Sequence, residues 1–362
     1  MAAEQPLLDP VRLGPFQLRN RAVMAPMTRS RAIGSIPNEL MARYYGQRAG
    51  AGLIVSEGTA PSPSALGYPR IPGIFSDPQV AGWKQVTDAV HMREGTIFCQ
   101  LMHTGRVAHP ANLPEGAEVL APSPVPLEST QMWVDPDGNR PIPTARAMSD
   151  AEVRASIGEF AGAARKAREA GFDGVELHGA NGYLIEQFLN PDTNQRDDDW
   201  GGDVERRLRF VTEVVEKTSE AIGPERVGIR LSPYGVFNEM QPYDEIDETY
   251  ERLAAVLREQ GLLYVHVVDH SAMGAPPVPD SIKATIRETF GGPVILAGGY
   301  DYARANDDLN AGKADMIAFA RPYLANPDLL ERFESGADLN EPDPETFYTP
   351  GEFGYVDYPT LG

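Results

Sequence analysis

The stretch DGVELHGANGYLIEQFLNP, residues 173–191, begins as a short apolar strand and then changes character. Val175 and Leu177 show the alternation of a buried strand, and His178, Asn181 and Tyr183 follow at its carboxyl end. Polar side chains at the end of a buried element need hydrogen-bonding partners. This stretch therefore predicts a binding site, provided that further strands surround it.

Short apolar runs of the same kind alternate with amphipathic helical patterns along the whole chain. The runs span residues 21–27, 52–58, 96–102, 173–178, 226–232, 262–268, 293–299 and 314–320. The helical patterns span residues 38–49, 79–92, 150–170, 204–221, 246–260, 280–289, 302–311 and 326–335. Eight strands, each followed by a helix, predict an α/β fold, a (β/α)8 barrel. A doubly wound open sheet is the alternative, but eight regular units without a GxGxxG turn favour closure.

One connection interrupts this regular alternation. Residues 103–149, between the third strand and its helix, are rich in proline and turn-forming residues (PSPVPLE, DPDGNRPIP). A loop of this length in a compact domain is usually functional, and here it lies on the face where barrel enzymes place their chemistry. We expect a small hairpin cap inserted in a single domain that spans residues 1–362.

The composition limits the classes of protein that the chain can represent. It has 362 residues, 42% apolar and 23% charged, with a net charge of −20. An acidic chain argues against nucleic acid and anionic membranes as partners. The single Cys99 excludes an intrachain disulfide and a cysteine-based metal cluster, and we expect no metal. The acidic, lysine-poor surface suits a high-salt cytoplasm, or reflects genomic composition.

The sequence also carries information on location. The first residues, MAAEQPLLDPVRLG, include an early glutamate and no apolar run of signal-peptide length. No stretch approaches the roughly 20 apolar residues of a membrane span. We therefore expect a soluble, cytoplasmic protein.

Strand alternation predicts which side chains face the barrel interior. In TIFCQLM (96–102), Phe98, Gln100 and Met102 face inward if Cys99 and Leu101 pack outward against helices. Cys99 is then a buried structural thiol and not a nucleophile.

The same alternation places Arg230 inside the barrel. A buried guanidinium needs an anionic or strongly polar partner. One interpretation is a salt bridge to a barrel carboxylate, either Glu57 or Glu176. The other is a cation held beneath a ligand that becomes negative.

The last two units suggest a phosphate site. LAGGY (296–300) ends the seventh strand with Gly298 and Gly299, whose backbone amides can approach an anion closely. Arg321 follows the eighth strand, and phosphate sites in barrels recur at this pair of loops.

The chain resembles the Old Yellow Enzyme family of flavin-dependent ene-reductases over nearly its whole length. The motifs that carry the resemblance are APMTRSRA (25–32), QLMHTGR (100–106), HGANGYLIEQFLNP (178–191), RDDDWGGDVERRLRF (196–210), GIRLSP (228–233), AFARPYLANPDL (318–329) and GYVDYPTL (354–361). The resemblance implies a non-covalent FMN across the barrel mouth, NADPH or NADH as reductant, and activated alkenes as substrates.

The resemblance also assigns cofactor contacts. It implies that Pro26 and Thr28 contact the flavin at N5 and O4, and that Gly58 and Gln100 contact the pyrimidine ring. Arg230 matches the cation beside N1 and O2, which would supply the anion that a buried arginine needs. The phosphate contacts fall on Gly298, Gly299, Ala320 and Arg321.

For the stretch quoted first, the resemblance implies catalysis. His178 and Asn181 match the pair that hydrogen-bonds a substrate carbonyl or nitro oxygen, and Tyr183 matches the acid that protonates the alpha carbon. The alternative is that His178 and Asn181 only cap the following helix. Tyr68 and Tyr355 resemble aromatic walls of the substrate pocket, and a purely structural role for them is equally compatible with the sequence.

Several residues depart from the family pattern. Met102 stands where tryptophan is common, and Ala320 where a glycine is common; Trp200, Asp203 and Arg206 also differ from the usual wording. These departures leave open the substrate preference and the FMN affinity. The coenzyme preference and the oligomeric state, monomer or homodimer, also stay open.

Two other classes of protein compete with this assignment. A relative of 2,4-dienoyl-CoA reductase would carry an iron–sulfur segment, for which one cysteine is too few. A non-catalytic FMN-binding or metabolite-binding barrel would not need His178, Asn181 and Tyr183 together. A yellow protein that NADPH bleaches would favour the enzyme.

Overall fold

The computed structural model describes residues 5–362, and its centre is a closed barrel of eight parallel strands. The strands, in chain order, are β1 Ala22–Met24, β2 Leu53–Val55, β3 Ile97–Leu101, β4 Gly174–Gly179, β5 Val227–Leu231, β6 Tyr264–Val268, β7 Val294–Ala297 and β8 Met316–Phe319. Each strand pairs with the next, and β8 closes the ring on β1 through Ile317 opposite Ala22. The predicted barrel is confirmed, and the open sheet is excluded.

Helices follow the strands as the periodicity predicts. They are α1 Glu39–Gln47, α2 Asp77–His91, α3 Asp150–Glu169, α4 Leu184–Leu189, α5 Val204–Ile222, α6 Ile246–Glu259, α7 Asp280–Phe290, α8 Tyr302–Asn310, α9 Arg321–Ala325 and α10 Leu329–Ser335. Side-chain caps begin several of them; Ser149 and Glu152, for example, form a reciprocal capping box on α3. The short helices α4 and α9 have no counterpart in the predicted pattern, because one or two turns give no measurable periodicity.

Two apolar layers surround the strands, one inside the barrel and one between the barrel and its helices. Phe98 and Tyr264 belong to the inner layer, and Cys99 and Leu101 to the outer one. The predicted alternation in β3 is therefore confirmed. Cys99 is fully buried, and burial raises the pKa of its thiol to about 12, as expected for a structural cysteine.

An N-terminal hairpin closes the bottom of the barrel. Its strands, Val11–Leu13 and Phe16–Leu18, are antiparallel, and Leu13 and Leu18 pack into the inner apolar layer. The Phe16 ring meets Phe98 edge-on at 5.4 Å. Ligands are thus restricted to the opposite end, where the strands have their carboxyl termini.

The long connection after β3 contains an antiparallel hairpin, Gln131–Val134 with Gly138–Pro141. Leu120–Ala121 and Arg146–Ala147 pair in parallel at its base. Met132 and Ile142 share an apolar cluster with Met102 and Tyr183, so the hairpin segment packs beside the end of β4. Among residues 5–362, every helix is too short or too polar to cross a bilayer.

Candidate active site

Four neighbouring strands place polar side chains in two adjacent rows of the barrel. In the register, Gln100 of β3 lies opposite Glu176 of β4, and His178 lies opposite Arg230 of β5. Arg230 in turn lies opposite His266 of β6. All five side chains are buried. Parallel strands in register thus concentrate polar groups that are widely separated in the sequence.

Glu176 is the centre of a buried hydrogen-bond network. It accepts from Gln100 Nε2 at 2.8 Å and from the Tyr264 hydroxyl at 3.1 Å, and its Oε2 lies 2.9 Å from His266 Nδ1. Burial disfavours the carboxylate, but the charge and hydrogen bond of His266 and the charge of Arg230 outweigh it, and the pKa of Glu176 is lowered. The sequence indicated Glu176 only as a possible partner of Arg230.

Arg230 lies beside this network, and its guanidinium group has hydrogen-bond donors without a partner among the described residues. Among the described residues, its Nε has no hydrogen-bond partner, and no carboxylate lies within ion-pair distance. Burial lowers the pKa of its guanidinium, and the charge of Glu176 opposes that shift. Glu57 is engaged elsewhere, because it accepts from the Tyr45 hydroxyl at 3.3 Å. A direct salt bridge to Glu57 or Glu176 is therefore not what fixes Arg230, and the unused donors fit a ligand that carries negative charge.

His178, Tyr183 and Tyr68 form a compact group at the end of β4. The His178 and Tyr183 rings meet edge-on at 4.9 Å, and the Tyr68 and Tyr183 hydroxyls lie 3.0 Å apart. Burial lowers the pKa of His178 well below its usual value and raises the pKa of Tyr183. At neutral pH His178 is therefore neutral, and Tyr183 keeps its proton. Within residues 5–362, His178 Nδ1 has no hydrogen-bond partner.

Asn181 lies in a left-handed turn between these residues. Its φ is 62°, and that of Gly182 is 75°. Its side-chain Oδ1 lies 2.7 Å from His270 Nε2, and its backbone N–H donates to Ser232 Oγ at 2.8 Å. The side chain of Asn181 is half-buried, and the residue lies just after β4, three positions after His178.

The buried side chain of Glu186 holds that turn. Glu186 accepts from the Gly182 N–H at 2.5 Å, from Ser232 Oγ at 2.7 Å and from the Tyr250 hydroxyl at 3.1 Å. Burial raises the pKa of Glu186 to about 7. The Asn181–Tyr183 turn is therefore held by its own helix α4. This observation is against the interpretation that His178 and Asn181 serve only as helix caps.

The residues predicted to contact a flavin ring lie at the ends of β1, β2 and β3. Pro26 and Thr28 are half-buried in the loop after β1, and Gln100 is buried at the end of β3. A Cβ built on Gly58 would lie 2.5 Å from Met102 Sδ, so the methionine occupies the space above this glycine. Met102 is buried, and a role for its thioether as a wall of the substrate pocket stays a prediction.

The predicted phosphate residues follow β7 and β8. Gly298 and Gly299 have φ values of 151° and 60°, and a Cβ on Gly298 would lie 2.7 Å from the Asp269 carbonyl oxygen. Glycine is needed there because a side chain would meet neighbouring backbone. Ala320 is half-buried immediately before α9, and Arg321 is exposed at the first position of that helix. The two loops lie side by side because β7 pairs with β8.

Tyr355 lies in a packed aromatic cluster. It is fully buried, its ring stacks on Tyr44 at 4.1 Å, and the guanidinium groups of Arg29 and Arg31 lie 5.1 and 4.7 Å from the ring centre. These contacts support the structural role considered for Tyr355. A direct contact with substrate stays a prediction.

Arg29 and Arg31 also hold the segment that precedes Tyr355. Arg29 donates to the Phe347 and Gly354 carbonyl oxygens at 3.1 and 2.7 Å. Arg31 donates to the Thr346, Gly351 and Phe353 carbonyl oxygens. The two arginines follow Thr28 directly, so the C-terminal segment is tied to the loop that carries Pro26 and Thr28.

The residues near position 200 that differ from the family pattern lie at or just before the start of α5. Trp200 is fully buried, and its Nε1 donates to Asp150 at 2.8 Å. Asp203 caps α5 by accepting from the Arg206 N–H at 3.0 Å. These contacts explain Trp200 by local packing and Asp203 by helix capping, and the exposed Arg206 side chain lies 3.8 Å from the Asp203 carboxylate.

Comparison with known proteins identifies the class of this barrel. The chain matches the model of the NADH:flavin oxidoreductase / NADH oxidase family over residues 6–340. It is 38% identical to 12-oxophytodienoate reductase 7 of Oryza sativa subsp. japonica, over 99% of this chain and 95% of the relative. It is 40% identical to flavin oxidoreductase hxnT of Emericella nidulans, over 98% and 97%.

Solved structures agree with these relatives. Morphinone reductase superposes with a TM-score of 0.96 at 44% identity, covering 100% of this chain and 98% of that one. An old yellow enzyme homologue from Zymomonas mobilis gives 0.93 at 39% identity, covering 98% and 99%. The fold and site thus define a flavin-dependent oxidoreductase. The chain belongs to the NADH:flavin oxidoreductase family, the Old Yellow Enzyme family, and its cofactor is FMN.

Three residues of the hydrogen-bond networks at this candidate site were not identified from the sequence. His266 lies on a strand whose sequence is typical of ordinary core, Glu186 lies on the short helix α4, which the pattern did not predict, and His270 lies in a loop. Alternation in LLYVHVV could have indicated that His266 faces the same side as Tyr264, but no local signal places His270 against Asn181. Among the described residues, no group of histidine, cysteine and acidic side chains is arranged to hold a metal ion.

Proposed function

We propose that this enzyme reduces the C=C bond of activated alkenes such as enones, enals, maleimides and nitroalkenes. The observation that carries the proposal is the group formed by His178, Asn181 and Tyr183. Two neutral hydrogen-bonding side chains lie beside a buried tyrosine whose pKa is raised, all at the ligand-accessible end of a flavin barrel. Such a group suits an electron-poor substrate that must accept a hydride and a proton.

His178 and Asn181 bind the activating oxygen of the substrate in this proposal. His178 carries one N–H as a neutral imidazole, and Asn181 has an amide group facing the same end of the barrel. Two donors on a carbonyl or nitro oxygen stabilise the negative charge that develops there. Neutral donors also avoid trapping the product by a permanent ion pair.

Tyr183 supplies the proton to the alpha carbon. A phenol is a weak acid, so it donates only to a strong base such as the developing carbanion. The raised pKa of Tyr183 keeps the hydroxyl protonated before that moment. Tyr68, 3.0 Å away, can donate to the Tyr183 oxygen and so leave the Tyr183 proton directed toward the substrate.

FMN, when bound, supplies the hydride to the beta carbon and is itself reduced by NADPH or NADH. Arg230 would hold the N1 and O2 side of the ring with its free donors, and Gln100 and Gly58 the pyrimidine edge. Pro26 and Thr28 would contact the N5 and O4 side. The backbone around Gly298, Gly299 and Ala320, with the Arg321 side chain, would hold the phosphate.

We further propose that residues 103–149 cover the site within a single domain. Met132 and Ile142 already pack with Tyr183 and Met102, which supports this placement. Met102 replaces a planar side chain by a flexible one, so the pocket wall adapts to the substrate. We expect acceptance of bulky cyclic enones for this reason.

The two half-reactions test the proposal. The purified protein should be yellow, and NADPH or NADH under nitrogen should bleach it. Stopped-flow mixing of the reduced enzyme with enones, maleimides and nitroalkenes should then restore the colour and yield the saturated product. A protein that binds FMN and is not reduced by either nucleotide would be a binding protein instead, and our proposal would be wrong.

A further inference from the structure

His270 lies directly against the amide of Asn181. It follows β6, and its Nε2 is 2.7 Å from Asn181 Oδ1. Its ring lies 5.2 Å from that of Phe237 at a 30° tilt. The contact joins residues 89 positions apart in the chain, so it is not a by-product of local geometry.

The chemistry of this contact determines which way the Asn181 amide faces. Burial and the charge of Arg230 lower the pKa of His270 to about 4, so the ring is neutral at physiological pH. A neutral imidazole with hydrogen on Nε2 donates to Asn181 Oδ1. The Asn181 Nδ2, a donor, is then left for a ligand oxygen. With the opposite orientation, Asn181 would present an oxygen to the substrate oxygen and repel it.

The surroundings hold His270 in place. Asp269 accepts from the Ser271 N–H at 2.9 Å and from Lys283 Nζ at 2.9 Å, which fixes the loop at its first residue. On the other side, Asn238 Nδ2 donates to the Asn181 backbone oxygen at 2.8 Å. The amide of Asn181 is therefore set between two anchored loops.

We propose that His270 is a positioning residue for substrate binding: it orients the Asn181 amide so that its N–H faces the activating oxygen. This inference rests on the proposed function, in which Asn181 binds that oxygen. His270 itself touches neither the reacting carbon atoms nor their oxygen. Its loop continues to Ala272, which packs against Gly299, so the same loop borders both the substrate pair and the phosphate glycines.

Binding of 4-hydroxybenzaldehyde to the oxidised holoenzyme tests this role, because a phenol bound over the flavin changes the flavin absorbance. His270→Phe keeps an aromatic ring beside Phe237 and removes the donor. We expect its dissociation constant to rise roughly three- to tenfold, the effect of one hydrogen bond. His270→Gln restores a donor and should recover most of the affinity. Met273→Ala, exposed in the same loop, should leave the affinity unchanged.

A double-mutant cycle with Asn181→Ala separates this inference from the proposed function. The His270→Phe effect should disappear when Asn181 is already alanine, because there is no amide to orient. The role of His270 is refuted if Asn181→Ala weakens binding and His270→Phe does not, or if the effects of the two substitutions add. Either outcome leaves the assignment of Asn181 in the proposed function unaffected. If Asn181→Ala has no effect on binding, the assignment of Asn181 in the proposed function is wrong as well.

Discussion

Tyr68 and Tyr183 meet hydroxyl to hydroxyl at 3.0 Å, with their rings edge-on at 6.3 Å. Burial raises the pKa of both phenols, so both are protonated at neutral pH. Two protonated phenols share one hydrogen bond, and one proton of the pair remains available. Tyr183 also contacts His178. We therefore expect Tyr183, and not Tyr68, to donate the available proton.

Tyr183→Phe should separate the two half-reactions. Reduction by NADPH needs no acid, so anaerobic bleaching should keep nearly its full rate. Reoxidation by cyclohexenone needs a proton at the alpha carbon and should slow by roughly 10²–10⁴-fold. Stopped-flow absorbance measures both rates. Equal slowing of both half-reactions would show that Tyr183 positions the cofactor and is not the proton donor.

Tyr68→Phe is the matched control, since it removes the hydrogen bond and keeps the Tyr183 hydroxyl. We expect a loss of less than about tenfold in the rate of reoxidation by cyclohexenone, because one neutral hydrogen bond is worth roughly 1 kcal/mol.

Reoxidation by nitroalkenes should be less sensitive to Tyr183→Phe than reoxidation by cyclohexenone, because a nitronate is stable enough to await protonation by solvent.

Arg230→Met should lower the reduction potential of the bound flavin. In the proposed function the buried guanidinium would stabilise negative charge on the reduced ring, and loss of one charged contact costs on the order of 1–3 kcal/mol. For a two-electron couple this corresponds to about 20–60 mV. Anaerobic titration against a reference dye measures the shift. Arg165→Met, exposed on α3, is the control, and a potential equal to the wild-type value would place the arginine elsewhere.

Glu186→Gln should change how stability depends on pH. The pKa of Glu186 is about 7 in the folded protein, above its ordinary value of 4.5, so the folded state favours the protonated form. Its contribution to stability is complete below pH 4.5 and is lost as the pH rises through 7. Relative to Glu186→Gln, the wild type should lose up to about 3 kcal/mol between about pH 4.5 and 8.

Urea denaturation across that pH range measures this difference. Glu216→Gln, exposed on α5, controls for the loss of one negative charge. A difference between wild type and Glu186→Gln that does not vary with pH would mean that folding does not raise the pKa of Glu186.

Salt should raise the melting temperature. The chain carries 52 acidic and 32 basic residues, and the resulting repulsion weakens the compact state. Salt screens these charges over a Debye length of about 10 Å at about 0.1 M. We expect a rise between low salt and roughly 1 M KCl, measured by calorimetry of the holoenzyme at fixed FMN. A flat or falling trend would contradict salt adaptation and leave the enzyme assignment unaffected.

The barrel and the orientation of its strands were predictable because each depends on a local period. Alternation in β3 and β5 correctly placed Phe98 inside, Cys99 outside and Arg230 inside. The resemblance to the family supplied the expected roles of the site residues. No periodic pattern in the sequence specifies the register between neighbouring strands. The Gln100–Glu176–His266 network depends on that register, and so could be recognised only in three dimensions.

Loop residues were the least predictable part of the site. His270 reaches Asn181 because of the path of one irregular loop, for which the sequence DHSAMG has no distinctive pattern. Tyr355 illustrates the opposite difficulty. Its motif was compatible with both a pocket wall and a structural role, and only the surrounding chain shows that Tyr44 and two arginines pack against it and bury it completely.

Arg29 and Arg31 hold the C-terminal segment mostly through its backbone carbonyl oxygens, with the Tyr355 ring and the Thr349 hydroxyl as additional side-chain contacts. Phe347, Tyr348 and Phe353 are therefore free to diverge during evolution without detaching the segment. Tyr348 and Phe353 are both exposed. We therefore expect the exposed side chains of this segment to tolerate substitution at little cost to folding, because every residue carries the carbonyl oxygen that the arginines bind.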